Sequence, residues 1–195
     1  MGQEAGKAVM RRLHDSRFAT KYFVGDGIDI GAGNDTVYHY REQFTNIRSV
    51  RGWDRPDGDA MLMDGIVENS FDFVHSSHCL EHLTDPALAL RNWIRICKPG
   101  GHVIVMVPEE DLYEQGHWPS RYAQDHLTSW TIGKFNSWSP VSISLLNFLN
   151  NFVDQVEVLK IEKLDAGYRY NNNKEDQTAY PTGECAIEFI LKKRQ

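Results

Sequence analysis

The sequence predicts a single α/β domain built on a mostly parallel sheet. Short apolar runs alternate along the chain with stretches of helical periodicity, and no internal repeat interrupts this alternation. Residues 102–107 are apolar at nearly every position, which is typical of a strand buried on both faces of a parallel sheet. A chain of 195 residues is long enough for one domain with a substantial core and too short for two of ordinary size.

The predicted elements follow from local patterns taken in chain order. A strand containing Ile28 and Ile30 runs into a glycine-rich turn, and an amphipathic helix at residues 86–98 is ended by Pro99-Gly100-Gly101. Further strands are predicted at residues 47–53, 70–76, 102–107, 155–164 and 184–192, and further helices at residues 36–44 and 141–152.

Residues 109–140 break this rhythm. They are rich in aromatic and polar side chains, have no clear periodicity and are longer than a usual connection, which is typical of a functional insertion. We therefore divide the single domain, residues 1–195, into three parts. These are a cofactor-binding core at residues 27–108, a substrate-side insertion at residues 109–140, and a C-terminal helix and β-hairpin at residues 141–195.

Composition and charge limit the classes of partner. The net charge of −6 and the isoelectric point near 5.7 predict no nucleic-acid partner and favour a small or cationic substrate. Cys79, Cys97 and Cys185 lack the number and spacing of a disulfide framework or a zinc knuckle, which favours a reducing compartment. With no signal-peptide core and no membrane-spanning run, we expect a cytoplasmic protein without membrane attachment.

The segment GIDIGAGN, residues 27–34, predicts a cofactor site. Gly31 and Gly33 remove the side chains that would keep a ligand away from the backbone. A dinucleotide site would need a third glycine where Thr36 stands. Asp29 would repel a pyrophosphate but favour a ligand that carries an ammonium and a sulfonium group, such as S-adenosylmethionine. The alternative is an ordinary strand-to-helix turn.

Polar residues after the other predicted strands extend this site, because ligands of open parallel sheets bind at the carboxyl ends of the strands. Asp54 follows the second strand, where a carboxylate can accept hydrogen bonds from both hydroxyls of a ribose. Asp59 and Ala60 provide an acid and a small neighbour for a flat ring. Ser76 and Ser77 leave the next strand where the amino-acid end of the ligand would lie.

The order of these segments resembles that of the class I S-adenosylmethionine-dependent methyltransferases, most of all their small-molecule, type 11 branch. The matching segments are GIDIGAGN, Trp53-Asp54, Gly58-Asp59-Ala60, SFDFVHSSHCLEHL and KPGGHVIVMVP, within residues 27–108. The resemblance implies a Rossmann-like α/β fold with a seven-stranded, mostly parallel sheet, helices on both faces and a C-terminal antiparallel β-hairpin. It also implies that the cofactor is S-adenosyl-L-methionine.

The resemblance further implies roles for individual residues. The methionine end would lie against Asp29, Gly31, Gly33 and Ser76, the ribose against Asp54, and the adenine against Asp59 and Ala60. The complete implied set is Asp29, Gly31, Ala32, Gly33, Asp54, Arg55, Asp59, Ala60, Ser76 and Ser77. Asn34 and Asp35 stand where the family often has a third glycine. Because the N-terminal segment is short, residues 17–23 are expected to supply a lid over the cofactor.

The segment HCLEH raises the question of a metal ion. It places His78, Glu81 and His82 at positions i, i+3 and i+4 of a predicted helix start, a spacing that can bind a divalent ion. Similar acid-rich segments in ubiquinone-pathway and small-RNA O-methyltransferases hold a metal beside the substrate hydroxyl. The first position here is a histidine, and Leu-Glu-His occurs widely in type 11 enzymes without metal. We therefore expect no metal site and activity without a divalent ion.

The insertion is predicted to contact the methyl acceptor. Its aromatic residues suit a sugar-like or phenolic acceptor, although about half of them are expected in the core; they are Tyr113, Trp118, Tyr122, Trp130 and Trp138. His126 and His117 are the candidate catalytic bases, because an attacking hydroxyl must lose its proton and imidazole titrates near neutral pH. His126 is preferred, since His117 lies in a turn-forming sequence and Asp125 could orient the ring of His126.

These features together predict a methyltransferase that transfers a methyl group from S-adenosylmethionine to a small molecule, more readily to oxygen than to nitrogen or carbon. In-line displacement would gain most of its rate from holding the nucleophile against the activated methyl group. Two alternatives stay open: a non-catalytic S-adenosylmethionine-binding partner subunit and a nucleotide-dependent reductase. The sequence does not predict the acceptor or the oligomeric state.

Overall fold

Each strand predicted from the sequence forms a strand in the computed structural model, which describes residues 4–172 and 174–195. The strands are β1 (Gly25–Ile30), β2 (Ile47–Trp53), β3 (Phe71–Ser77), β4 (Cys97–Pro108), β5 (Ser129–Thr131), β6 (Ser142–Ser144), β7 (Val156–Leu164) and β8 (Ala186–Lys193). The α-helices are α1 (Glu4–Leu13), α2 (Pro86–Ile96) and α3 (Leu145–Leu149). None of the helices in these two ranges has both the length and the apolar character needed to cross a membrane.

The main sheet has the strand order β2-β1-β3-β4-β8-β7. The first four strands along the chain run parallel, and β8 pairs antiparallel with both β4 and β7, which confirms the parallel core and the C-terminal hairpin. Within the part of the chain that the structure describes, the sheet has six strands, so the prediction of seven is wrong. The chain between β2 and β3 forms turns instead of another strand, and Gly58 and Gly65 within it have φ angles of +137° and +76°.

Alternation of side chains across the sheet produces two cores, one on each face. On one face α2 packs against Ile28, Val74 and Val105, and Trp93 of this helix is fully buried. Asp85 caps α2 by accepting the backbone N–H groups of residues 87 and 88. The opposite face carries a second core around Phe73 and is covered by the N-terminal segment.

Residues 17–23, the expected lid, belong to this second core. Phe18–Tyr22 forms one π-helical turn, and the rings of Phe18, Tyr22 and Phe23 are buried. The Phe23 ring lies 5.3 Å from that of Phe73 in β3, so burial of large rings holds the segment on the sheet. The start of α1 lies nearer to the glycine turn, because Asp35 accepts the N–H of Ala5 at 2.9 Å.

All three predicted helices are shorter than expected. The helix predicted at residues 86–98 ends at Ile96, and β4 begins at Cys97, before the predicted stop at residues 99–101. The other two differ more. Only Val37–Tyr40 is helical within residues 36–44, as a 3₁₀ turn. Its β-branched and aromatic residues have modest helix propensity, and the N–H of Val37 is bonded to Asp29. Residues 141–152 begin as β6, which pairs with β5, and become helical only at α3. Pairing with a distant strand thus overrides the local helical pattern.

A buried polar network joins α1 to β1 across the second face. Arg12 is 1% exposed; its Nε donates to Glu188 at 2.9 Å, and its Nη1 lies 3.2 Å from Nε2 of His75. Since arginine can only donate, Nε2 of His75 accepts and Nδ1 donates to Asp29 at 2.7 Å. Burial raises the pKa of Glu188, but the guanidinium groups of Arg12 and Arg11 outweigh it and hold that pKa far below its usual value.

Candidate active site

The glycine turn after β1 lies tight against the neighbouring strands. Gly31 and Gly33 have φ angles of +73° and +52°, a region that favours glycine. The N–H of Gly31 donates to the carbonyl of Trp53 at 2.8 Å, and a Cβ atom on Gly31 would lie 2.6 Å from the Cβ atom of Cys79. The half-buried Ala32 sits between the two glycines. The turn therefore presents its backbone at the carboxyl end of the sheet.

Asp29 supports this turn from beneath. Its side chain is almost completely buried, with one oxygen 2.7 Å from His75 and the other accepting the N–H of Val37 at 2.7 Å. The sequence predicts a direct contact with a positively charged ligand. In the structure each oxygen also meets one group of the protein, so Asp29 holds the turn in place from below. Its contact with the ligand stays a prediction.

Asp54 links the turn to the end of β2. Its Oδ2 accepts the N–H of Gly33 at 2.9 Å, and its Oδ1 accepts the N–H of Arg55 at 2.7 Å. Asp54 is half-buried, whereas Arg55 is exposed. A carboxylate has about four lone-pair sites, so two acceptor positions on Asp54 stay open for ribose hydroxyls.

The loop that follows is fixed by α2. The carbonyl of Ala60 accepts the indole N–H of Trp93 at 2.8 Å, and Oδ1 of Asp59 accepts the N–H of Met61 at 2.7 Å. Asp59 is exposed and Ala60 is half-buried. This arrangement leaves one carboxylate oxygen of Asp59 for a polar edge of a ligand.

Ser76 and Ser77 differ because neighbouring strand residues face opposite sides. Ser76 is fully buried and donates to the carbonyl of Ile30 at 3.0 Å. The hydroxyl oxygen of Ser77 is buried and has no hydrogen-bond partner among residues 4–172 and 174–195. The indole nitrogen of Trp53 is likewise buried and unpaired. These two polar atoms close to the turn fit a polar ligand such as S-adenosylmethionine.

A histidine–glutamate cluster follows Ser77, and we define it as His78, Glu81, His82, Glu114 and His126. Glu81 is fully buried, and its oxygen Oε1 lies 3.5 Å from Nδ1 of His78, 3.8 Å from Nε2 of His82 and 3.9 Å from Nε2 of His126. Burial raises the pKa of Glu81, but the surrounding imidazoles outweigh it and lower that pKa below its usual value. The cluster thus places two carboxylates and three imidazoles at the ends of the strands, beside the glycine turn.

His126 and His117 occupy different environments. His126 is buried, with Nδ1 2.7 Å from Oε1 of Glu114 and its ring centroid 5.3 Å from that of Tyr113. His117 is exposed. The acid that orients His126 is Glu114, not the expected Asp125, whose carbonyl instead lies 3.1 Å from Nδ1 of His82. The sequence gives no signal for Glu114, because it meets His126 through the fold of the insertion.

The insertion divides its aromatic residues between core and surface. Trp130 is fully buried, and its ring lies 5.1 Å from that of Phe148. Tyr113 lies next to His126 of the cluster, and the ring centroid of Tyr122 lies 5.8 Å from that of Tyr113. Trp138 is exposed and donates to Asp111 at 2.9 Å. Trp118 is half-buried.

Two open clefts border the insertion. The larger, about 560 Å³, is lined by polar residues that include Lys134, Ser139 and Asn147. The smaller, about 370 Å³, is lined in part by Trp138 and Tyr168. Neither cleft is lined by a residue of the glycine turn or of the histidine–glutamate cluster. The strand ends, where unpaired polar atoms gather, are therefore better supported as the reacting centre than the larger cleft.

Comparison with known proteins identifies the family. Residues 7–152 match the family described as methyltransferase domain. A segment of 60 residues, 31% of this chain, is 40% identical to an uncharacterized methyltransferase of Schizosaccharomyces pombe, and it spans only 21% of that protein's length.

Solved structures with low sequence identity share the fold. One similar structure is a chain of the complex between the Haloferax volcanii Trm112 methyltransferase activator and a methyltransferase. Its TM-score is 0.62 at 15% identity, and the match covers 100% of this chain and 99% of that chain. An S-adenosylmethionine-dependent methyltransferase of Listeria monocytogenes has a TM-score of 0.59, 13% identity, and coverage of 98% and 99%. The chain therefore belongs to the methyltransferase domain family, and it shares the fold of S-adenosylmethionine-dependent methyltransferases of known structure.

Proposed function

We propose that the enzyme methylates an oxygen atom of a small acceptor, either sugar-like or phenolic. The observation that carries this proposal is the histidine–glutamate cluster at the carboxyl ends of β3 and β4, next to the glycine turn. A hydroxyl is a poor nucleophile until its proton is removed, and imidazoles and carboxylates supply this function near neutral pH. Tyr113, beside His126, and Tyr122, beside Tyr113, provide ring surfaces of the kind that sugars and phenols contact.

We further propose that the cofactor is held by the residues that the resemblance implies. Asp54 would accept the ribose hydroxyls, Asp59 and Ala60 would border the adenine, and Ser76 and Ser77 would lie at the methionine end. The unpaired hydroxyl of Ser77 supports its assignment more strongly than that of Ser76. Bound S-adenosylmethionine supplies an electrophilic sulfonium methyl group.

Within the cluster, we assign activation of the acceptor hydroxyl to His126. Glu114 fixes its Nδ1 atom, so that Nε2 faces Glu81 and the interior of the site. When no metal ion is bound to the cluster, Nε2 of His126 is the atom that takes the proton of the acceptor hydroxyl. Residues 109–140 would form the acceptor side, since Glu114 and His126 both belong to them. His117, the other candidate, has no comparable support because it is exposed.

An acceptor panel tests this proposal. The full chain is incubated with methyl-labelled S-adenosylmethionine and with phenols, sugars and amines, and the labelled product is identified. We expect label on an oxygen acceptor. Transfer only to nitrogen or carbon contradicts the proposal. Binding of S-adenosylmethionine without any transfer would favour the alternative of a non-catalytic partner subunit.

The catalytic assignment is tested by His126→Ala. We expect kcat to fall by about 10²- to 10⁴-fold with little change in cofactor affinity, because a general base contributes a factor of this size. His117→Ala is the comparison variant and should retain most of the wild-type kcat. Equal losses in both variants, or none in His126→Ala, would remove His126 from this role.

We also propose a cytoplasmic location and no nucleic-acid partner. Cys79, Cys97 and Cys185 are all free and buried, which suits a reducing compartment. The net charge of −6 disfavours attraction to phosphate backbones. Microscopy of a tagged chain tests the first proposal, and nucleic-acid binding measured across salt concentrations tests the second.

A further inference from the structure

The carboxylate of Glu81 is in an unusual position for a metal-free protein. Its side chain is fully buried, and neither oxygen has a hydrogen-bond partner in the described parts of the chain. Buried carboxylates are normally paired or bound to a cation, because an unpaired buried charge is costly. The imidazoles of the cluster approach Oε1 of Glu81 only at 3.5–3.9 Å, so a bound cation would pair with this carboxylate more closely than they do.

The imidazoles around Glu81 are spaced as ligands of one ion. The Nε2 atoms of His82 and His126 lie 3.8 and 3.9 Å from Oε1 of Glu81, too far for hydrogen bonds. Ligand atoms about 2.0–2.2 Å from a common ion are themselves separated by about 3–3.5 Å. The donor atoms of Glu81, His82 and His126 all lie within 4.8 Å of one another. The two pairs between Glu81 and an imidazole would contract by about 0.3–0.9 Å around an ion, and a pair at the 4.8 Å limit would contract by about 1.3–1.8 Å.

The other ring nitrogens are already held in the manner of a metal site. Nδ1 of His126 lies 2.7 Å from the carboxylate of Glu114, and Nδ1 of His82 lies 3.1 Å from the carbonyl of Asp125. Metal-binding imidazoles usually donate their second N–H to a carboxylate or a carbonyl, which fixes the tautomer and aims the other nitrogen at the ion. Both Nε2 atoms are therefore directed toward Glu81.

We propose that Glu81, His82 and His126 bind one divalent transition-metal ion, with Glu114 and Asp125 positioning the two imidazoles. Two imidazoles and one carboxylate suit Zn²⁺, Mn²⁺ or Fe²⁺ better than Mg²⁺ and leave at least one coordination position open. His78 lies close enough to Glu81 to assist. This proposal replaces the sequence-based expectation of no metal, which weighed His78 as the third ligand and did not include His126.

The role of the ion rests on the proposed function, whereas its binding does not. An acceptor hydroxyl in the open position would have a lower pKa and would lose its proton to water. Nε2 of His126 is then a ligand, so His126 acts by holding the ion instead of taking the proton itself. The alternative is that the cluster binds protons but no metal ion, and that His78 pairs with Glu81.

Metal titration without cofactor or acceptor tests the site. The purified full chain is treated with EDTA, the chelator is removed, and Zn²⁺ binding is measured by calorimetry, with Co²⁺ absorption reporting the ligand geometry. We expect one ion per chain and a tetrahedral or five-coordinate Co²⁺ spectrum. Glu81→Gln and His126→Ala should each weaken binding by more than about 100-fold, and Glu114→Gln by about 10- to 100-fold. His14→Ala is the control, because His14 is an exposed histidine on the chain after α1.

The outcomes separate this inference from the proposed function. Absence of stoichiometric binding, or binding that Glu81→Gln and His126→Ala leave unchanged, overturns the metal site. Circular dichroism of each variant shows whether the fold is retained. Glu81→Gln keeps the size of the side chain and removes a buried charge that has no hydrogen bond among the described residues, so it should fold. Oxygen methylation by a chain that binds no ion refutes the metal site alone. Metal binding without oxygen methylation supports the site and refutes the proposed function.

Discussion

Replacing Asp54 with alanine should weaken cofactor binding without unfolding the protein. Asp54 is half-buried at the end of β2, and its two oxygens accept the N–H groups of Gly33 and Arg55 at 2.9 and 2.7 Å. The substitution removes both of these bonds together with the open acceptor positions. The turn thus loses its side-chain bond to the end of β2 but keeps the backbone bond from Gly31 to Trp53, and the ribose hydroxyls lose a charged acceptor.

The size of the effect follows from the number of hydrogen bonds at stake. Hydrogen bonds to a charged group contribute about 1.5–3 kcal/mol each, and water entering the vacated space recovers part of this free energy. For two ribose hydroxyls we expect a net loss of about 2–4 kcal/mol, which corresponds to an increase in Kd of about 30- to 700-fold. Asp54→Asn keeps the shape and one acceptor oxygen and should give an intermediate loss.

Calorimetric titration with S-adenosylhomocysteine measures this loss. Asp64→Ala is the matched control, because Asp64 is an exposed acid in the same connection between β2 and β3. Its Kd should stay at the wild-type value. A Kd for Asp54→Ala within about threefold of wild type, a difference below 1 kcal/mol, would refute the assignment of Asp54 to the ribose.

Two further substitutions test the turn and the network beneath it. Gly31→Ala should reduce S-adenosylhomocysteine affinity more than Gly65→Ala. The two glycines have similar φ angles, +73° and +76°, but only Gly31 lies against Cys79. Equal affinities of the two variants would argue against the tight turn. Glu188→Gln should lower the free energy of unfolding at pH 7 by about 3–5 kcal/mol, because Arg12 would be left as a buried unpaired charge. The folded-state pKa of Glu188 is lowered, so its contribution is present above the unfolded value of about 4.3 and is lost as the pH falls through the folded value. Urea denaturation should therefore show the difference from wild type narrowing below about pH 4, and a constant difference would contradict this account.

The sequence predicts those parts of the site that depend on local geometry. The glycine turn could be located because Gly31 and Gly33 directly follow an apolar strand, and both have the positive φ angles that glycine favours. Asp54 could be located because parallel strands end at the same edge of the sheet. The difference between Ser76 and Ser77 could not be predicted, because it depends on which face of β3 each side chain occupies.

The contacts that the insertion makes could not be predicted from the sequence. Asp125 is adjacent to His126 in the chain and is the natural candidate to orient it, yet the fold turns its carbonyl to His82 and brings Glu114 to His126. Such pairings depend on how an aperiodic segment folds across the sheet. The same limit applies to β6, whose pairing with β5 replaces the start of a predicted helix.

A crystal structure with S-adenosylhomocysteine bound tests the central claim most directly. We predict that the ribose hydroxyls contact Asp54 and that the methionine end lies against the glycine turn and Ser77. The sulfur atom should face Glu81 and His126, which leaves space for an acceptor oxygen between them. A ligand bound away from the ends of β1 to β3, or a sulfur atom turned away from the histidine–glutamate cluster, would contradict the account.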